Sequence, residues 1–247
     1  MGARIERWLD DGSGVLRSPL LTAMGLVAGF TTRALGSMGG TTTPLDVQAQ
    51  RRRTFALAQG FPHVARVRQV HGARTVPAPP PGAPWPEADA IWTMDRGVLL
   101  GIAAADCVPV LVASPAGAFG VAHAGWRGSS LGVTRALVRA LVDAGARADE
   151  LVAAIGPSIG PCCYHVDADR TALFRDRLPD DADAVLYDGV MDLWTANVRQ
   201  LETAGVRTIE LAAICTRCGG ADVWSFRGRA PGLDYGLCLG YLGRPVQ

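Results

Sequence analysis

Over 247 residues the chain carries 24 basic against 23 acidic side chains, a formal net charge of +1, and 49% of it is hydrophobic. The near balance leaves no basic excess for nucleic acid, and the apolar share is enough for one substantial core. Six cysteines in a chain of this length are no disulfide framework, so a reducing, cytoplasmic setting is expected.

The first apolar stretch, residues 15–30, is broken by Arg17, Ser18 and Pro19 and preceded by Glu6, Asp10 and Asp11. It is too short and too acidic at its head for a membrane span or an export signal, so no membrane partner is expected. A strand is predicted at 26–31 and a helix at 45–59, whose Arg51, Arg52 and Arg53 read as a solvated face. Residues 64–70 read as the next strand. The proline-rich run 77–86 reads as a stiff extended excursion within one domain, because candidate site residues lie on both sides of it. Apolar runs predict strands at 99–104, 108–113 and 120–123. A helix over 130–144 places Leu131, Val138, Leu141 and Val142 on one stripe, with Ser129 or Ser130 as cap and Gly145 as stop. A strand at 151–155, a helix at 167–178, a helical stripe of Met191, Trp194, Val198 and Leu201 ending at Gly205, and a strand at 208–213 complete the pattern. The alternation gives an α/β layered domain over 1–247, and no glycine fingerprint for a dinucleotide follows the first strand.

Chemistry concentrates in Gln69-Val70-His71-Gly72, Ala105-Asp106-Cys107-Val108-Pro109 and Ala122-His123-Ala124-Gly125-Trp126-Arg127-Gly128. His71, Cys107 and His123 each read as ending an apolar strand, where loops are free to carry a site. Taken alone, a cysteine or histidine in such a place is a core residue as readily as a ligand. Taken together, two imidazoles and one thiol suit a zinc ion with an open fourth position, and copper would also enter such a site in vitro. The rival reading makes Cys107 a nucleophile with His123 as its base. Spacing does not separate the two.

Those motifs, with Gly29-Phe30-Thr31-Thr32-Arg33 and Ala154-Ile155-Gly156-Pro157-Ser158-Ile159, resemble the successive motifs of the laccase-domain family from about Gly29 to the C-terminus. Members have been called multicopper polyphenol oxidases and are described as purine nucleoside phosphorylases with adenosine deaminase activity, or as peptidoglycan editing factors. The resemblance implies the laccase-domain, cytotoxic necrotizing factor-like fold, a single domain with a mixed sheet and flanking helices. It also implies that His71, Cys107 and His123 are zinc ligands at the catalytic centre. Arg33, Arg127 and Arg227 match family arginines, whose planar forks suit phosphate, and Trp126 could stack on a purine. The chain departs from the pattern at Phe226, where relatives carry a histidine, at Gly228, where they carry an arginine, and at His165, where a glutamate is common.

The implied function is zinc-dependent processing of purine nucleosides: phosphorolysis of inosine, guanosine, adenosine or methylthioadenosine, and deamination of adenosine. Nucleoside and phosphate would be the partners of a monomer. Editing of a peptidoglycan precursor by a hydrolase or amidase at the same site is the alternative. A non-catalytic interaction protein ranks below both, because open-site ligands have no structural purpose. A polyphenol oxidase ranks low as well, since four histidines cannot feed several copper sites. Cys162-Cys163 and Cys215-Thr216-Arg217-Cys218 are expected to be free buried thiols, because neither pair has a second pair beside it in sequence.

Overall fold

The computed structural model describes residues 3–229 and 235–246. Two mixed sheets lie face to face. The larger has seven strands in the order Arg4–Ile5, Thr208–Leu211, Val152–Ile155, Val108–Ala113, Phe119–Ala124, Ala90–Thr93 and Thr75–Pro77. The smaller has five, in the order Val15–Arg17, Val27–Thr31, Cys238–Gly243, Leu99–Ala104 and Val64–Ala65. Strands from both ends of the chain share each sheet, which closes it into one layered α/β unit.

Period-two alternation decides which side chains face which layer. In Val108–Ala113, Val108, Val110 and Val112 pack with Leu137, Val138 and Leu141 of the helix Val133–Asp143. Leu111 and Ala113 point the other way and pack with Phe30, Ile102 and Leu242 of the second sheet. That sheet is buried on its outer side too, where Leu99, Leu239 and Tyr241 meet Phe55 and Ala56 of the helix Leu45–Ala58. Continuous apolar strands in the sequence thus mark positions enclosed on both faces.

Several expectations require correction. The helix foreseen over 130–144 is two helices, Trp126–Ser130 and Val133–Asp143, broken at Gly132 with φ 80°. Ser129 and Ser130 cap neither. Ser130 instead donates to the Arg127 carbonyl, and Ser129 accepts from Asn197. Leu131 and Val142 are exposed, and the buried face is Val133, Thr134, Leu137, Val138 and Leu141. Met191 belongs to the short strand Val190–Met191, and the following helix, Leu193–Thr203, turns Asn197 and Gln200 inward together with Leu201. Buried Asn197 accepts from Thr134, and Gln200 donates to the Ser129 carbonyl, so a polar network joins these helices where periodicity alone foresaw apolar contact.

The arginine run is not a solvated face. Arg52 is buried and donates to the Met38 carbonyl at 2.7 Å, leaving only Arg53 of the three exposed. The strand expected over 64–70 is cut to Val64–Ala65, followed by a single parallel bridge from Arg68 to Glu87. Beyond it the Gln69 carboxamide takes over, donating to the Ala103 carbonyl and accepting from the Ala103 amide, both at 2.8 Å. A side chain thereby carries the strand edge to the threshold of His71.

Candidate metal centre

The donor atoms of His71, Cys107 and His123 all lie within 4.8 Å of one another, and the two imidazoles meet edge to face with centroids 4.8 Å apart. His123 sits on the strand Phe119–Ala124, whose pairing with Val108–Ala113 fixes where it points. His71 does not end a strand as foreseen; it lies in a bend with φ 60°, in the left-handed region.

Asp89 explains that bend. Its buried carboxylate accepts the consecutive amides of Val70, His71 and Gly72 at 3.1, 2.9 and 2.7 Å, and His123 Nδ1 at 2.8 Å. One side chain therefore sets the backbone that carries the first imidazole and the tautomer of the second, freeing His123 Nε2 for the site. Burial opposes the charge on Asp89, yet the His123 contact and the Gly72 and Val70 amides hold it below the usual carboxylate range. Nothing in the sequence marks Asp89 as different from any other acid before an apolar run.

Cys107 follows a second left-handed residue, Asp106, with φ 87°. The Asp106 carboxylate accepts the Thr216 hydroxyl at 2.6 Å and the Arg227 amide at 2.7 Å, while its carbonyl accepts the Ile159 amide. Two of these anchors hold the thiol loop against the C-terminal segment, and the third holds it against the loop that follows Val152–Ile155. Burial raises the Cys107 thiol, but the charge of His123 and hydrogen bonds from His123 and His71 outweigh it and bring the thiol down to about 6. For His123, burial is outweighed by the Cys107 charge and the Asp89 hydrogen bond, which push it up to about 9. Such a thiol is ionised at neutral pH, the form in which it ligates or attacks.

The donor set fits a borderline-soft cation. Gly125 supplies the room, since a Cβ there would stand 2.8 Å from Cys107 Sγ and 3.3 Å from His71 Cδ2. His71 is exposed, Cys107 partly exposed and His123 buried, so an ion held by all three would keep one side toward solvent.

The arginines stand on separate supports. Arg127 lies over Trp126 at 4.7 Å, with Arg170 at 5.6 Å from the same partly buried ring. The Arg227 guanidinium covers Tyr164 and donates to the His165 carbonyl at 3.0 Å. Arg33 lies over Trp224 and pairs with Asp222 at 3.5 Å. It lines a cavity of about 620 Å³ with Thr216, Arg217 and Arg229, a space that none of the three donors lines. Thr216 links the two regions through its bond to Asp106. Phe226, where the resemblance led to the expectation of a histidine, is exposed and packs on Tyr235 and Arg229.

Residues 29–243 match the family described as multi-copper polyphenol oxidoreductase laccase. The chain belongs to this family. It is 38% identical over 231 residues to a purine nucleoside phosphorylase of Deinococcus radiodurans, covering 85% of this chain and 87% of that one. It is 33% identical over 265 residues to the purine nucleoside phosphorylase YlmD of Geobacillus stearothermophilus, covering 95% and 96%. The crystal structure of that YlmD superposes with a TM-score of 0.85 over 97% of this chain and 99% of the other. A protein named adenosine deaminase RL5, from an unknown prokaryotic organism, is 35% identical over 147 residues, covering 56% of each.

Proposed function

We propose that the chain is a zinc-dependent enzyme of purine nucleosides, catalysing phosphorolysis and the deamination of adenosine. The observation that carries this reading is the convergence of His71, Cys107 and His123 within 4.8 Å around a glycine-floored, solvent-facing corner. Relatives named purine nucleoside phosphorylase and adenosine deaminase supply the substrate class.

Zinc held there would supply Lewis acidity and bring the pKa of a water toward neutrality. The chain's own residues do the rest. Asp89 keeps both imidazoles aimed and fixes the proton on His123 Nδ1. Trp126 carries Arg127 over its ring, with Arg170 near the same ring, so a purine stacking there would meet the indole together with these two guanidiniums. Arg33, Arg127 and Arg227 each carry a planar fork suited to phosphate, Arg33 on the cavity that none of the three metal donors lines. In phosphorolysis a phosphate oxygen attacks the anomeric carbon of the ribose, the bond to the purine nitrogen breaks, and the leaving base takes up the proton that hydrogen phosphate gives up. The description of the family as multi-copper is opposed by the donor supply. Beyond His71 and His123 only His63 and His165 remain; His63 lines a different cavity beside Trp85, and His165 is exposed and is contacted at its carbonyl by Arg227.

The test is incubation of zinc-loaded protein with inosine or adenosine and phosphate. Free base and ribose phosphate are expected from both, with inosine also formed from adenosine. Failure to convert any purine, beside cleavage of a nucleotide-linked muramyl amino acid, would replace this reading with precursor editing.

A further inference from the structure

Apart from buried Cys238, the remaining cysteines are not the scattered buried thiols that their positions in sequence suggest. Cys162, Cys163, Cys215 and Cys218 bring all four Sγ atoms within 4.8 Å of one another, and Cys162 and Cys218 are exposed. The second pair foreseen as missing is supplied by the fold, which runs Ser158 and Cys215 side by side in a parallel bridge. The Cys162 and Cys218 sulfurs are 3.4 Å apart. In a tetrahedral site with metal–sulfur bonds of about 2.3 Å, sulfurs stand about 3.8 Å apart, so the observed spread lies around that value.

The backbone has the form such a site needs. After Cys215-Thr216-Arg217-Cys218 the Gly219 amide turns back to the Cys215 carbonyl at 2.7 Å. The turn is so tight that a Cβ on Gly219 would lie 2.5 Å from that oxygen. From the other loop, the Gly160 amide donates to Cys215 Sγ at 3.3 Å, the kind of bond that steadies a ligating sulfur. The donor set is sulfur alone, which selects a soft or borderline cation over magnesium or calcium.

We propose that these four cysteines bind a second, structural zinc ion, closed by four thiolates and distinct from the centre at His71, Cys107 and His123. On binding, the four thiols release their protons to solvent and four sulfur–metal bonds form, with no change of oxidation state. The ion clips two loops together. One continues into Tyr164 and His165, the other toward Arg227, whose guanidinium already reaches the His165 carbonyl. The clip thereby positions the arginine loop beside the candidate active site.

Zinc determination on protein purified without chelator tests this. The wild type should carry about two zinc ions per chain, Cys107→Ser about one, and Cys162→Ser/Cys218→Ser about one. Cobalt loaded into Cys107→Ser should show the intense sulfur-to-cobalt absorption of a tetrathiolate site. A readout on the wild type alone guards against a variant that fails to fold. In zinc-loaded protein, exposed Cys162 and Cys218 should resist alkylation, then react once zinc is stripped. Undiminished zinc in the double variant, rapid alkylation of Cys162 and Cys218 in the loaded protein, or a Cys162–Cys218 disulfide in metal-free isolated protein would each overturn the proposal. Iron in place of zinc at this site would overturn the choice of metal.

Discussion

The corner that holds His71, Cys107 and His123 and the loop that follows Cys215 differ in what fixes them. His123 rides a strand buried on both faces, and a carboxylate that is itself buried governs both imidazoles. Arg227 and Arg229 ride irregular backbone, Arg227 half-buried and Arg229 exposed, held through Asp106 and through bonds to the carbonyls of His165 and Phe226. Metal chemistry tolerates little displacement of its ligands, whereas recognition of a substrate can be retuned by exchanging loop residues. The departures that the resemblance implies at Phe226 and Gly228 fall on the second region, and the proposed ligand set falls on the first.

Asp89 is where the first region is most vulnerable. Asp89→Ala leaves three amides and an imidazole without their acceptor, so we expect a loss of about 3–5 kcal/mol in denaturant unfolding and a 10–100-fold loss in metal affinity. The sign with pH follows from its lowered folded-state pKa. The carboxylate stabilises the fold fully above the ordinary carboxylate value, and that contribution disappears as pH falls through the lower folded value. The stability gap between wild type and Asp89→Ala should therefore be full at neutral pH and narrow in strong acid. A gap that widened on acidification would deny Asp89 this role.

Asp106→Ala probes the seam between the two regions. Alanine is strained at φ 87°, and the Thr216 hydroxyl and Arg227 amide lose their acceptor. A loss of about 2–3 kcal/mol is expected, with metal binding and substrate KM both impaired. If only one of the two changed, Asp106 would serve a single region.

Gly125→Ala separates fit from folding. Its methyl would press on Cys107 Sγ at 2.8 Å, an overpacking of about 1–3 kcal/mol directed at one ligand. Zinc affinity should fall about tenfold or more while the circular dichroism spectrum stays unchanged.

Arg127→Ala has the smallest expected effect. The side chain is exposed and stacked on Trp126, so its loss should raise the KM for phosphate about tenfold or less and leave zinc content intact. A fall in zinc content would place Arg127 in the metal corner.

Much of the first region was legible in sequence, because strands enclosed on both faces announce themselves as unbroken apolar runs. The bounds of Leu99–Ala104 and Val108–Ala113 are those read from the sequence, and the three proposed ligands meet as their motifs suggested. What stayed hidden depends on pairing at long range. Cys238–Gly243 completes the central part of the smaller sheet, yet follows a glycine-rich segment with no local strand signal. Asp89 acts on backbone 17 to 19 residues away. Asn197 and Gln200 are buried because polar partners wait for them on Thr134 and Ser129, which no periodicity of one helix can reveal. The four cysteines looked like isolated pairs for the same reason.

The most direct measurement is the zinc content of Cys107→Ser compared with the wild type, both purified in parallel without chelator. Loss of about one zinc per chain, together with loss of phosphate-dependent cleavage of inosine, is the predicted result. Equal zinc in the two proteins would contradict a metal centre built on His71, Cys107 and His123.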